Sequence, residues 1–181
     1  MFAITRFSVA RCIARCVGAT AMGLQIALAL FGTSAQALDK PTGPVILTVE
    51  GNISQTNQAG KAVFDMKMLE QLPQHSFSTK TPWYPNAVSF TGPLLRDVLA
   101  AVGAKGATIT AIALNDYKTE IPADDATRHD VIVARLMNNR PMPVREKGPL
   151  FIVFPFDTKA ELRSERYYNR AAWQLHMLRV Q

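Results

Sequence analysis

Cysteine is almost absent from this chain of 181 residues, and the two that occur, Cys12 and Cys16, lie close together near its start. The remainder has no thiol, which excludes a disulfide framework, a thiolate metal site and a cysteine nucleophile there. Acidic residues are missing from the first 37 positions, and no two arginines are adjacent among them. No Gly-x-Ser-x-Gly elbow supports a hydrolase triad. The glycines of Gly103-Ala-Lys-Gly106 lack the lysine-serine/threonine ending of a phosphate loop and follow a helical pattern. His75, His129 and His176 show no zinc- or copper-ligand spacing. There is no repeat and no low-complexity tract.

The opening stretch has the layout of a secretory signal. Arg6, Arg11 and Arg15 give a basic start, an apolar run extends from Cys16 to Phe31, and Ala35-Gln36-Ala37 supplies a small-x-small cleavage pattern. Residues 1–37 are therefore expected to be a cleaved signal peptide, with a mature domain at 38–181 beginning at Leu38. The alternative, an uncleaved anchor, needs about 20 apolar residues, more than this run provides. Without an adjacent arginine pair the signal does not read as a twin-arginine one, so the chain is expected to reach the periplasm unfolded. Losing its three arginines takes the formal net charge from +6 to +3. No Lys/Arg stripe interleaved with aromatics remains, so no nucleic-acid partner is expected.

The mature part reads as many short strands with two or three short helices, an α+β pattern. Val45–Gly51 alternates apolar and polar residues as a strand does, and Lys61–Phe64 is a second extended piece. Asp65 is placed to cap a helix over Met66–Leu72, stopped by Pro73. Phe77–Thr81 and Val88–Thr91 read as short extended segments flanking a turn from Pro82 to Pro85. The spacing predicts a helix over Pro93–Val102, with proline in its first turn and Gly103 as its stop. Ala107–Leu114, Lys118–Ile121, Val131–Leu136, Leu150–Phe154 and Ala171–Val180 are further strand candidates, and Ala160–Tyr167 a short helix. Asp124-Asp125 with Arg128-His129-Asp130 reads as a solvated loop.

Several segments, taken in order, carry a resemblance. They are Phe77-Ser-Thr-Lys-Thr-Pro-Trp83, Phe90-Thr-Gly-Pro-Leu-Leu-Arg-Asp-Val-Leu99 and Ala113-Leu-Asn-Asp-Tyr117. Ile121-Pro122, Lys147-Gly-Pro-Leu150, Phe154-Pro155 and Asn169-Arg-Ala-Ala-Trp-Gln-Leu175 complete the set. Together they resemble the sulfite-oxidase-fold family, the oxidoreductase molybdopterin-binding domain, in its stand-alone periplasmic branch. The resemblance implies a compact fold of mixed β-sheet with short helices. In the catalytic members a cysteine four residues before the tryptophan of the first segment binds molybdenum. Here that position is Thr79, and a hydroxyl is a poor substitute for a thiolate.

The chain is thus similar to cysteine-less, pterin-binding sensor proteins of the periplasm. These are implied to relay ligand occupancy to the periplasmic domain of an inner-membrane enzyme that makes or degrades cyclic di-GMP (GGDEF/EAL). The ligand implied is a reduced, monapterin-like pterin rather than molybdopterin. The alternative reading is a molybdopterin-dependent oxidoreductase, or its accessory subunit.

A pterin is flat, with a 2-amino-4-oxo edge that offers adjacent N–H donors beside a carbonyl acceptor. It calls for an aromatic platform, a carboxylate for the donor edge, and donors for the carbonyl. Trp83 is the candidate platform, with a core anchor as the ordinary alternative. Asp116 is the candidate carboxylate and Asn115 a donor and acceptor beside it, although Asn-Asp is also a common turn pair. Tyr117 is a candidate wall or an edge-strand tyrosine. Thr79 and Thr81, two apart in an extended segment, share one face and offer hydroxyls, or simply reflect β-propensity. Arg170 sits where the family's terminal segment carries a pocket arginine, or else is a solvated charge. Trp173 is assigned to the core.

Overall fold

The computed structural model describes residues 38–181, so the expected signal segment lies outside the described residues. The alternation read at residues 45–51 becomes strand β1, Leu47–Gly51, whose Leu47 and Val49 are buried. It pairs antiparallel with β2, Ala62–Phe64, and parallel with the last strand, β11, Leu175–Val180. Asp65 caps helix α1, Met66–Gln71, by accepting from the Met68 N–H at 2.9 Å. Its second oxygen accepts from the N–H groups of Thr42 and Gly43 at 2.7 and 2.8 Å, which ties down the lead into β1.

β3, Gln74–Thr81, and β4, Tyr84–Pro93, form one long hairpin rather than two short segments. The ladder runs from Gln74↔Pro93 to Thr81↔Tyr84 with a bulge between Thr79 and Thr81. Pro93 therefore ends a strand and does not open the next helix, because its pairing with Gln74 holds it extended. Helix α2 is Leu95–Ala101, and Gly103, at φ +58, takes the left-handed turn that stops it. A Cβ on Gly92 would collide with the Val133 carbonyl, so this glycine lets β4 lie against the backbone of the neighbouring segment.

β5, Thr108–Ala113, and β6, Lys118–Pro122, form a second hairpin that completes a five-stranded sheet in the order β2-β1-β11-β5-β6. The charged run read as a loop is helix α3, Ala123–Arg128, and both Asp125 and the adjacent His129 are buried. The single strand expected over Val131–Leu136 divides at Arg135. β7, Ile132–Ala134, pairs with β10, Phe151–Val153, whereas β8, Leu136–Met137, joins β4 and the short β9, Arg140–Pro141. The Arg135 side chain is fixed by Gln74 at 2.9 Å and Glu70 at 3.0 Å, which separates the buried β7 from the half-buried β8. Between β9 and β10 lies a 3-10 turn, Val144–Glu146.

The helix expected over Ala160–Tyr167 is a 3-10 turn, Ala160–Leu162, followed by α4, Glu165–Tyr168. The architecture is thus the expected α+β one of mixed sheets with short helices. Its core is built from both hairpins, α2 and the apolar run Leu150–Phe154. Among the described residues, no helix is long and apolar enough to cross a membrane.

Candidate functional site

At the closed end of the first hairpin, Trp83 is half-buried and enters a group of aromatic rings from distant segments. Its ring centroid lies 5.5 Å from Phe151, 6.1 Å from Phe156, 6.2 Å from Tyr168 and 5.4 Å from Trp173. Phe151 and Phe156 are fully buried, so the indole is anchored on the core and also reaches the surface. The two roles proposed for Trp83 on sequence grounds are compatible in this geometry.

Trp173, assigned to the core from the sequence, packs against it from a partly exposed position, as Trp83 does. It is half-buried and lies parallel to Tyr117, with centroids 6.5 Å apart and planes within 4°. Tyr117 is held in place by its hydroxyl, which donates to the Asn169 carbonyl at 2.9 Å. Trp83, Trp173, Tyr117 and Tyr168 therefore form one aromatic cluster, the floor of the candidate site, in which Trp83 stands edge-on to Trp173 and Tyr168 at 71° and 78°. Tyr117 is 42% exposed, one of four large apolar side chains so exposed among the described residues.

Asn115, Asp116 and Tyr117 form the turn between β5 and β6. The Ala113 carbonyl accepts from Asp116 N–H at 3.0 Å, and the Tyr117 carbonyl accepts from Ala113 N–H at 2.9 Å. The Asn115 side-chain oxygen accepts from the Tyr117 N–H at 3.2 Å, which is turn chemistry. Asp116 occupies the left-handed region at φ 64 and is exposed. The turn thus leaves the Asp116 carboxylate facing water beside the aromatic floor.

Thr79 and Thr81 are both buried while Lys80 between them is exposed, the shared face that their spacing requires. Their hydroxyls are already engaged. Thr79 Oγ1 accepts from the Asp157 N–H at 3.2 Å and donates to the Lys80 carbonyl at 3.4 Å. Asp157 in return accepts from the Lys80 N–H at 2.7 Å, locking β3 to the turn after Phe156. Thr81 Oγ1 accepts from the Trp83 N–H at 3.3 Å and so shapes the turn that carries the indole. The donor set does not fit molybdenum. Thr79, at the position where the resemblance implies the metal-binding cysteine, is a buried hydroxyl spent on two backbone bonds, and among the described residues no thiolate replaces it. Among the described residues, no three His, Cys, Asp or Glu side chains are grouped so as to hold a metal ion.

Arg170 is not a solvated charge, for its side chain is only 14% exposed. Its guanidinium pairs with Asp125 at 2.5 Å and lies 5.4 Å from the Tyr167 ring centroid. Asp125 is fully buried, and its other oxygen has only Arg128 nearby, at 3.8 Å. His129 packs edge-on against Tyr167, with Lys159 Nζ 3.4 Å from Nδ1 and Glu161 4.0 Å from Nε2. Burial pushes its pKa below the ordinary 6.5, assisted by Lys159 and Arg128 and opposed by Asp125 and Glu161.

Sequence reasoning missed Lys147, whose Nζ stands 4.2 Å from the Trp173 ring centroid and 6.0 Å from that of Tyr84. Its membership of the Lys147-Gly-Pro-Leu150 segment was the only available signal. Away from the floor, an apolar cleft of ≈ 250 Å³ is lined by α2 and α3 residues such as Leu99, Ala100 and Ala126. It shares no residue with the aromatic group, and its one cation, Arg96, pairs with Asp130 at 2.8 Å.

The oxidoreductase molybdopterin binding domain matches residues 47–159, more than half of the chain, and takes in Thr79, Trp83, Asp116 and Lys147. Tyr168, Arg170 and Trp173 lie beyond the matched residues. No curated protein matches the sequence. The chain belongs to the oxidoreductase molybdopterin-binding domain family, of the sulfite-oxidase type.

Proposed function

We propose that this protein is a periplasmic, non-catalytic member of the family that binds a metal-free, reduced pterin of the monapterin kind. In this reading it relays occupancy to the periplasmic domain of an inner-membrane cyclic di-GMP-metabolising partner. The observation that carries the reading is the pairing of an aromatic floor with a ligand-position hydroxyl committed to backbone bonds. Flat rings gain from an aromatic surface by stacking, about 1–3 kcal/mol per ring by analogy with bases on aromatic side chains. The exposed Asp116 supplies an acceptor for the paired N–H groups of the aminopyrimidine edge, and a charge-assisted bond there fixes orientation. Arg170, through Asp125 and Tyr167, braces the segment that carries Tyr168 and Trp173.

The relay is supported by where apolar surface is exposed. Leu114, in the turn that holds Asp116, is 50% exposed, and with Val45 and Val144 it lines a groove of ≈ 240 Å³. A partner seated there would touch the same turn that contacts the ligand. Calorimetric titration of the purified protein with a reduced pterin tests the binding. Saturable binding near one ligand per chain supports the reading, and no heat at millimolar ligand overturns it.

A second reading, a molybdopterin-dependent oxidoreductase, is favoured by the family itself. Stoichiometric molybdenum in protein isolated from its native compartment would establish it over the first.

A further inference from the structure

Lys147 lies over the aromatic floor in an unusual setting. It adopts φ 73, a conformation uncommon for a residue with a side chain, and two contacts hold its loop there. The Gln174 N–H donates to the Lys147 carbonyl at 2.9 Å, and Gln174 Nε2 donates to the Val144 carbonyl at 2.8 Å. Gln174 immediately follows Trp173, so the loop and the indole are fastened together. The ammonium sits 4.2 Å from the Trp173 centroid, and among the described residues no carboxylate lies within salt-bridge distance of it. Desolvation lowers its pKa from the ordinary 10.5, as expected for a cation drawn away from water without an anion to receive it.

A cation over an indole face is held there by its attraction to the negative face of the ring. A planar ligand that stacks on this part of Trp173 must move the ammonium aside. A ligand edge bearing a carbonyl offsets that loss, because it accepts a charge-assisted hydrogen bond stronger than the contact given up. A ligand presenting an amino group at the same edge meets donor with donor. We propose that Lys147 is the specificity-determining residue of the site, admitting flat heteroaromatic ligands with an acceptor edge and rejecting those with a donor edge. Asp116 and Lys147, on separate loops beside the floor, then match the two halves of a 2-amino-4-oxo edge. The inference rests on the pterin-binding reading and adds the group that selects for the oxo substituent.

The test compares two ligands of one ring system, pterin and 2,4-diaminopteridine, which differ in the oxo and amino groups at position 4 and therefore at N3, an N–H donor in pterin and an acceptor in the diamino compound. Both are titrated calorimetrically into the wild type, Lys147→Met and Lys147→Arg. Methionine retains the side-chain stem without the charge, and thermal melts verify that each variant is folded. The wild type is expected to prefer pterin by tenfold or more. Lys147→Met should lower that preference by at least about fivefold, chiefly by weakening pterin, with the share owed to Asp116 and the N3–H left in place, and Lys147→Arg should keep most of it. An unchanged preference in folded Lys147→Met would overturn the role of Lys147 while leaving pterin binding intact. Failure of the wild type to bind either compound would overturn both.

Discussion

Replacing Arg170 with methionine separates the structural from the ligand-binding account of that residue. In the structure the guanidinium is 14% exposed and pairs at 2.5 Å with an Asp125 carboxylate that has no exposure at all. Among the described residues the only other cation in salt-bridge reach of Asp125 is Arg128, 3.8 Å away and 61% exposed, which compensates poorly. Removing one partner of a buried pair leaves an uncompensated charge and costs about 3–5 kcal/mol. For a domain of this size that is a fall of roughly 10–15 °C in melting temperature. Asp125→Leu should cost less, because the abandoned arginine can reach water. The double variant Asp125→Leu/Arg170→Met replaces the pair by apolar groups and should return to within about 1–2 kcal/mol of the wild type. Thermal and urea unfolding of the four proteins completes the cycle. If Arg170 were instead a ligand group, Arg170→Met would melt like the wild type and lose pterin affinity. That result, or a double variant no better than Arg170→Met, would refute the reasoning.

The His129 pKa is depressed by burial, so the unfolded state binds the proton more readily. Stability should therefore decline as pH falls below about 6.5 and level off below the folded pKa, and His129→Gln should flatten that slope in urea titrations across pH 4.5–7.5. Asp116→Asn should melt like the wild type, since the side chain is exposed and asparagine tolerates the left-handed turn, yet weaken pterin at least about tenfold in calorimetry. Trp83→Ala should lower both stability, by about 2–4 kcal/mol, and affinity, by roughly ten- to a hundredfold, whereas Trp83→Phe recovers most of the former. Thr79→Val should cost about 1–3 kcal/mol in unfolding experiments by leaving the Asp157 N–H without its acceptor.

Local signals carried much of the fold. The alternation at residues 47–51, the Asp65 cap and Gly103 as a helix stop each depend on neighbours a few residues away, and each was legible. What escaped was set by distant partners. The string from Asp124 to Asp130 has the composition of a solvated loop, but Arg170, 45 residues later, neutralises Asp125 and permits its burial. The run Val131–Leu136 is uniformly apolar apart from Arg135, and only the contacts to Glu70 and Gln74 reveal that the strand divides there. At the site, Trp83 and the Asn115–Tyr117 turn were identifiable as residue types. Lys147 was not, because its place over Trp173 depends on a left-handed backbone and on the Gln174 contacts.

Protein isolated from its native host, kept reduced and desalted gently, should be examined by native mass spectrometry. The account predicts a metal-free mass increment matching one reduced pterin per chain, lost on denaturation. One molybdenum per chain, or a mass equal to that of the polypeptide after saturation with reduced pterin, would contradict it.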